Sequence, residues 1–327
     1  MDVSTAGEIL PLWQYVLTAL FFAWLIPGCW YICRLFSGVK RTGGWVSVAD
    51  VIPADLAGAA LLANLFLASG LIGIFSAMAP EPETPRVPGP GMILVSALLY
   101  LALYLFIAGL LGFTLKRRGS GLKSFLGLDK PPLILRAAKG LLILAAALPL
   151  LYLISSLWTV LLTKGFGLVL KEQDPVTLFR TATSPLDIFG IIFLAVVVAP
   201  LGEELIFRGY LLPVLKRYVG RWPAILGTGL FFGVIHGNWA AAAALALLGI
   251  LLALAYEHTG SLVTPITMHM VFNSITVVIL LFTVNLPEAL PKPTDPAPLP
   301  VPEPTPAGTL LLSGSLAEAL AKLLHHG

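Results

Sequence analysis

Five uncharged apolar runs govern what this chain can become: residues 9–33, 56–79, 91–115, 140–163 and 239–256 each meet or approach the ~20 apolar residues a helix needs to cross a bilayer core. Three further segments are apolar but less clean: one from Leu186 that carries charges at Glu203, a shorter one from Trp222 to about His236, and one from Leu262 to Leu286. In lipid, a helix satisfies its own backbone hydrogen bonds, so these runs predict an all-α, polytopic integral membrane protein with about eight transmembrane helices. Composition agrees, with 57% hydrophobic and 11% charged residues over 327 positions. The first run is long, holds Trp, Tyr and Pro, and has no small-residue cleavage site before Arg34, so it is expected to stay in the mature protein.

Lys and Arg placed next to spans set orientation. The first loop holds Arg34, Lys40 and Arg41, and the third holds Lys116, Arg117, Arg118, Lys123, Lys130, Arg136 and Lys139. The second loop has Glu81 and Glu83 with Arg86 alone. This predicts cytoplasmic odd loops and an outside N-terminus, in the cytoplasmic membrane of a prokaryote. Cys29 and Cys33 lie four apart in the first run, a spacing that suits packing as small hydrophobes better than a disulfide.

Ionisable residues divide the chain. Residues 1–180 form a predicted four-helix scaffold with almost nothing ionisable at membrane depth; residues 181–286 form the predicted functional core. Residues 287–307 are a Pro-rich linker of extended character, and residues 308–327 place leucines at helical spacing for a C-terminal amphipathic helix.

Charged groups inside apolar segments are costly, so a cluster of them calls for a reason. Around Pro200-Leu201-Gly202-Glu203-Glu204-Leu205-Ile206-Phe207-Arg208, two acids and one base interrupt an otherwise apolar stretch. Glu204 and Arg208 are four apart on one helical face and can pair. Glu203, rotated about 100° away, is left to accept a proton from water. His236 closes the next segment, and His269 lies in the last one with Asn273 one turn further on the same face. Each histidine alone would more often be a hydrogen-bonded core residue, and the two acids alone could simply neutralise Arg208. As a set, Glu203, His236, His269 and Asn273 have the means to activate a water and to stabilise an oxyanion.

The order Glu203-Glu204-x-x-x-Arg208, Phe232-x-x-x-His236 and His269-x-x-x-Asn273, the last after Gly260-Ser261-Leu262-Val263-Thr264-Pro265-Ile266, resembles the CPBP family. These are the CAAX prenyl endopeptidases and bacteriocin-processing enzymes also called Abi proteins. The resemblance covers roughly residues 186–281, and it implies that Glu203 with His236 activates the hydrolytic water. It further implies that His269 with Asn273 forms the oxyanion site and that Glu204 and Arg208 support them. The family has also been described as metal-dependent. Zinc could sit on Glu203, His236 and His269, but there is no His-Glu-x-x-His and Asn273 is a poor zinc ligand, so a cofactor-free glutamate and histidine mechanism is expected.

The expected partners are the lipid bilayer and a peptide or lipidated protein substrate. Neither a phosphate-binding loop nor a basic patch interleaved with aromatics is present, so nucleotide and nucleic-acid partners are not expected. Two other classes fit an intramembrane Glu/His set: a non-catalytic scaffold or immunity factor, and a proton-coupled transporter, against which the lack of an evident inverted repeat speaks. Glu257 and His258 read as boundary residues at a helix end. In a straight-helix arrangement His236 lies about 10 Å too deep to meet His269. A bend at Pro200, and a sixth helix broken at Gly237 and Asn238, would reconcile the two.

Overall fold

The computed structural model describes residues 12–42, 53–78, 132–168, 170 and 185–285, with scattered residues in 44–52 and 98–128. The predicted linker and C-terminal helix at 287–327, and most of the third predicted span, lie outside the described residues. What is described is all helical: α1 (Leu12–Thr42), α2 (Pro53–Met78), α3 (Leu133–Val160, prolonged by a π-turn over Leu161–Gly165), α4 (Pro185–Val219), α5 (Arg221–Ile235), α6 (Trp239–Thr259) and α7 (Val263–Asn285). Among the described residues, five helical stretches are long and apolar enough to cross a membrane: Gln14–Arg41, Leu133–Gly165, Pro185–Val219, Trp239–Thr259 and Val263–Phe282.

Two helices run past the apolar runs into charge. α1 continues through Arg34 and Lys40, and α3 begins at Leu133, so Arg136 and Lys139 are helical rather than loop residues. Arg136 is buried and its guanidinium donates to the Gly127 carbonyl at 2.8 Å. Apolar length sets how much helix the bilayer core needs, whereas helix ends are set by capping and by partners for the charges.

Small residues let the helices touch. α5 and α6 pack as a close pair; a Cβ on Gly233 would fall 2.5 Å from the Ala242 carbonyl, and one on Gly229 would fall 2.7 Å from the Ile250 amide. At Gly140 a Cβ would meet the Thr264 carbonyl at 2.6 Å, which brings α3 against α7. In lipid there is little hydrophobic drive between helices, so such close approach, with its dispersion contacts, is what holds them together. Ile143, Leu144, Leu212, Leu252 and Met268 form one apolar cluster; Phe207, Leu211 and Phe232 with Ile107 and Leu111 form a second. Indole N–H groups tie the outer helices to backbone: Trp24 donates to Ala145 at 3.0 Å and Trp158 to Trp239 at 2.6 Å.

α4 is one continuous 35-residue rod rather than two pieces, but it is not uniformly α. π-turns interrupt it at Leu194–Val198 and Leu205–Leu211, on either side of the short α segment Ala199–Glu204. Each lies just before a proline, Pro200 and Pro213, whose missing N–H breaks the regular ladder. The chain breaks where the reconciling arrangement required. α5 ends at Ile235, Gly237 turns the chain at φ 63°, and Asn238 caps α6 by accepting from the Ala241 amide at 3.0 Å. With 15 residues, α5 is about 22 Å long at 1.5 Å per residue, short of the ~30 Å apolar core.

Glu257 is corrected by its surroundings. It lies in the last turn of α6, as a boundary residue would, but its side chain is fully buried and paired with Lys216 Nζ at 2.6 and 2.9 Å. The same ammonium donates to the Val46 carbonyl at 2.9 Å, which joins the ends of α4 and α6 to the segment after α1.

Candidate active site

Three elements bring the predicted polar residues together. α4 supplies Glu203, Glu204 and Arg208, the end of α5 supplies His236, and α7 supplies His269 and Asn273. Glu204 and Arg208 pair as their i, i+4 spacing requires, with Nη1 to Oε1 at 2.7 Å and both side chains buried. Arg208 also donates from Nη2 to the Gly249 carbonyl at 2.8 Å.

Glu203 stays outside the ion pair. Its Oε2 lies 3.9 Å from His236 Nε2 and 3.8 Å from His269 Nε2, is buried, and has no hydrogen-bond partner. The opposite ring nitrogens are both occupied: His236 Nδ1 donates to the Phe232 carbonyl at 2.6 Å, and His269 Nδ1 donates to Glu204 Oε1 at 3.0 Å. A carbonyl or carboxylate can only accept, so the proton on each neutral imidazole is held at Nδ1 and the Nε2 lone pair faces Glu203. Two lone pairs and a carboxylate oxygen thus converge, and such a gap calls for a donor or a cation.

Exposure grades across the site. The His236 side chain is 29% exposed, Glu203 14% and His269 3%. His236, beside the break at Gly237, is thus the most exposed of the three. Phe232 flanks the cluster, with its ring centre 4.7 Å from His236 and 5.5 Å from His269, and the Arg208 guanidinium 5.0 Å over the same ring. This phenyl ring thus packs against both imidazoles and the guanidinium at once.

Asn273 is placed differently from the other three. Its Nδ2 donates to the Ala195 carbonyl at 2.8 Å, so one amide hydrogen is bonded to α4 and one remains. Spacing alone could not anticipate three of these contacts: the hold of Glu204 on His269, the Phe232 carbonyl under His236, and the Ala195 carbonyl under Asn273. The last had a partial signal in the sequence: a proline inside a helix removes a backbone donor, which in regular register orphans the Val196 carbonyl, and the π-turn shifts that orphan to Ala195.

The donor set Glu203, His236 and His269 has the chemistry of a zinc site that leaves one position for water. Among the described residues, however, no group of three His, Cys, Asp or Glu side chains is placed to hold a metal ion. The 3.8–3.9 Å separations compare with about 3.3 Å between two ligands of a tetrahedral zinc.

A polytopic helical bundle with a Glu, two His and a buried Glu-Arg pair between its helices defines an all-α membrane protein with a polar site at its centre. Residues 185–275 form a domain of the family described as type II CAAX prenyl endopeptidase Rce1-like. Over 97 residues, 24% of this chain and 30% of the relative, the sequence is 35% identical to CAAX prenyl protease 2 of Homo sapiens. It is 34% identical over 89 residues to the uncharacterized protein YpbD of Bacillus subtilis (strain 168), covering 26% of this chain and 42% of that protein. It is 33% identical over 112 residues to an uncharacterized 24.3 kDa protein of Escherichia coli, covering 32% and 51%. The chain thus spans about half the length, or less, of the curated relatives it matches. No solved structure matches the chain significantly.

Proposed function

We propose that this protein is an intramembrane endopeptidase that hydrolyses a peptide bond of a membrane-associated substrate, such as a prenylated tail or a leader-bearing peptide. The observation that carries the reading is the convergence of Glu203 Oε2 with two imidazole Nε2 atoms whose opposite nitrogens are already committed. The Rce1-like match over residues 185–275 and the likeness to human CAAX prenyl protease 2 support it.

In this mechanism Glu203, aided by His236, takes a proton from water as its oxygen attacks the substrate carbonyl carbon. The second amide hydrogen of Asn273 donates to the oxyanion, and His269, whose Nδ1 hydrogen is committed to Glu204, can add a second donor from Nε2 only when the ring carries a second proton. Collapse of the adduct breaks the carbon–nitrogen bond, and Glu203 returns its proton to the leaving amine. Arg208 holds Glu204 in place. The reaction is cofactor-free; a zinc ion, if bound by Glu203, His236 and His269, would supply a more acidic water at the same point.

The proposal extends to the whole chain: eight membrane helices with the N-terminus outside, a scaffold over residues 1–180, and a catalytic core over 181–286. Glu203→Gln in purified protein tests it against a candidate membrane peptide. Loss of cleavage by a factor of roughly 100 or more in a folded variant is the expected result. Undiminished cleavage would remove Glu203 as the base. A variant that unfolds instead would favour a non-catalytic scaffold or immunity factor built around the same residues.

A further inference from the structure

Asn273 meets α4 at one particular carbonyl, and the reason lies in Pro200. In the π-turn of α4 the Ala199 amide reaches back five residues to the Leu194 carbonyl. In that register the Ala195 carbonyl would be served by the amide of residue 200, which is proline and has no N–H. The Asn273 Nδ2 hydrogen stands in for it at 2.8 Å. An unserved carbonyl at this depth has no water to turn to, so one contact both satisfies α4 and staples α7 to it.

That staple lies close to the chemistry on both helices. Pro200 is three residues before Glu203, and Asn273 is one turn beyond His269 on the same face of α7. A second connection between the two helices at the site is Glu204 to His269 at 3.0 Å. The Glu203–His269 pair, 3.8 Å apart, is therefore held by two tethers.

We infer that Asn273 is a positioning residue that replaces the hydrogen bond Pro200 cannot make, and that the Pro200–Ala195–Asn273 unit sets the distance between Glu203 and His269. Its remaining hydrogen is free for the oxyanion role proposed above. Only the activity readout of the test below rests on that proposal; the stability readout does not.

The test is a double-variant cycle on the full-length protein in detergent: wild type, Asn273→Ala, Pro200→Ala and the pair. Asn273→Ala orphans the Ala195 carbonyl and lowers the thermal midpoint by roughly 2–6 °C. Pro200→Ala restores an N–H that can serve Ala195 in the same register. In the Pro200→Ala background the loss caused by Asn273→Ala shrinks to about 1 °C or less, and kcat of the double variant recovers at least about tenfold over Asn273→Ala with KM little changed. If Asn273→Ala alone cannot be recovered folded, recovery of the double variant folded is the same rescue. Additive losses in thermal midpoint overturn the inference whatever the activity shows. Rescue of the midpoint without rescue of kcat leaves the hydrogen bond in place but removes its control of the Glu203–His269 distance, and so overturns the positioning role. Should even wild type cleave no peptide, the function reading fails while the midpoint cycle still decides the tether.

Discussion

Glu204 accepts the Nδ1 hydrogen of His269 at 3.0 Å across 65 residues of sequence, with the same Oε1 that binds Arg208 at 2.7 Å. The carboxylate that spacing predicts to be a partner of arginine is therefore also what fixes the ring orientation of a histidine. One oxygen answers to two charged or polar groups, while its Oε2 is buried without a partner. Removing any member of this set leaves the others short of partners at a depth where water does not replace them.

Arg208→Met should strongly destabilise the core. It leaves Glu204 buried opposite His269 alone and frees the Gly249 carbonyl, and breaking a buried pair in this way costs about 3–5 kcal/mol. Thermal unfolding of the detergent-solubilised protein checks it; a shift within error of wild type would mean the pair is structurally dispensable.

Lys216→Met should destabilise by a similar route at the other end of α4, because the buried Glu257 carboxyl loses its ammonium partner, at about 3–5 kcal/mol. Adding Glu257→Gln removes the carboxyl that has lost its partner and should return much of the loss. Lys216 is 13 residues along α4 from Glu203, roughly 20 Å, so the turnover of the folded fraction should stay near wild type. Midpoint and kcat measured on the same preparations separate the two effects.

Gly237→Ala should weaken both fold and activity. The residue sits at φ 63°, where a Cβ costs about 1–2 kcal/mol, and relief of that strain would turn the chain away and carry His236 with it. A modest fall in midpoint with a larger fall in cleavage rate is expected. Equal activity at full occupancy would show that the turn does not orient His236.

Gly233→Val should push α5 and α6 apart. Its Cβ would fall 2.5 Å from the Ala242 carbonyl, which neither backbone can relieve without moving, and overpacking of this sort costs about 1–3 kcal/mol. The Arg208 bond to Gly249 on α6 should weaken with it, visible as a lowered midpoint and a reduced cleavage rate together.

Prolonged dialysis against a zinc chelator should leave cleavage unchanged if Glu203 and the histidines act alone. Loss of activity that returns on adding zinc would instead assign Glu203, His236 and His269 as ligands.

Much of the site is legible residue by residue. Glu204 and Arg208 are four apart, so a helix must bring them together, and Glu203 is necessarily turned away from them. The break at Gly237 and Asn238 was required by depth, because otherwise His236 and His269 could not share a level. The reading failed at Glu257, because a charge at a helix end looks the same in sequence whether it faces headgroups or a lysine from another helix. The spacing puts Asn273 on the His269 face of its helix, but the carbonyl it serves lies 78 residues earlier.

Local rules acting over one to five residues determine, from the sequence alone, that the chain is a helical membrane protein, which side chains share a helix face, and that Pro200 must orphan a carbonyl. Tertiary structure alone decides which carbonyl meets Asn273, which acid holds His269, and that Lys216 finds Glu257. Those contacts join groups 41 to 78 residues apart, and helix crossing at small residues sets them, which no periodicity records.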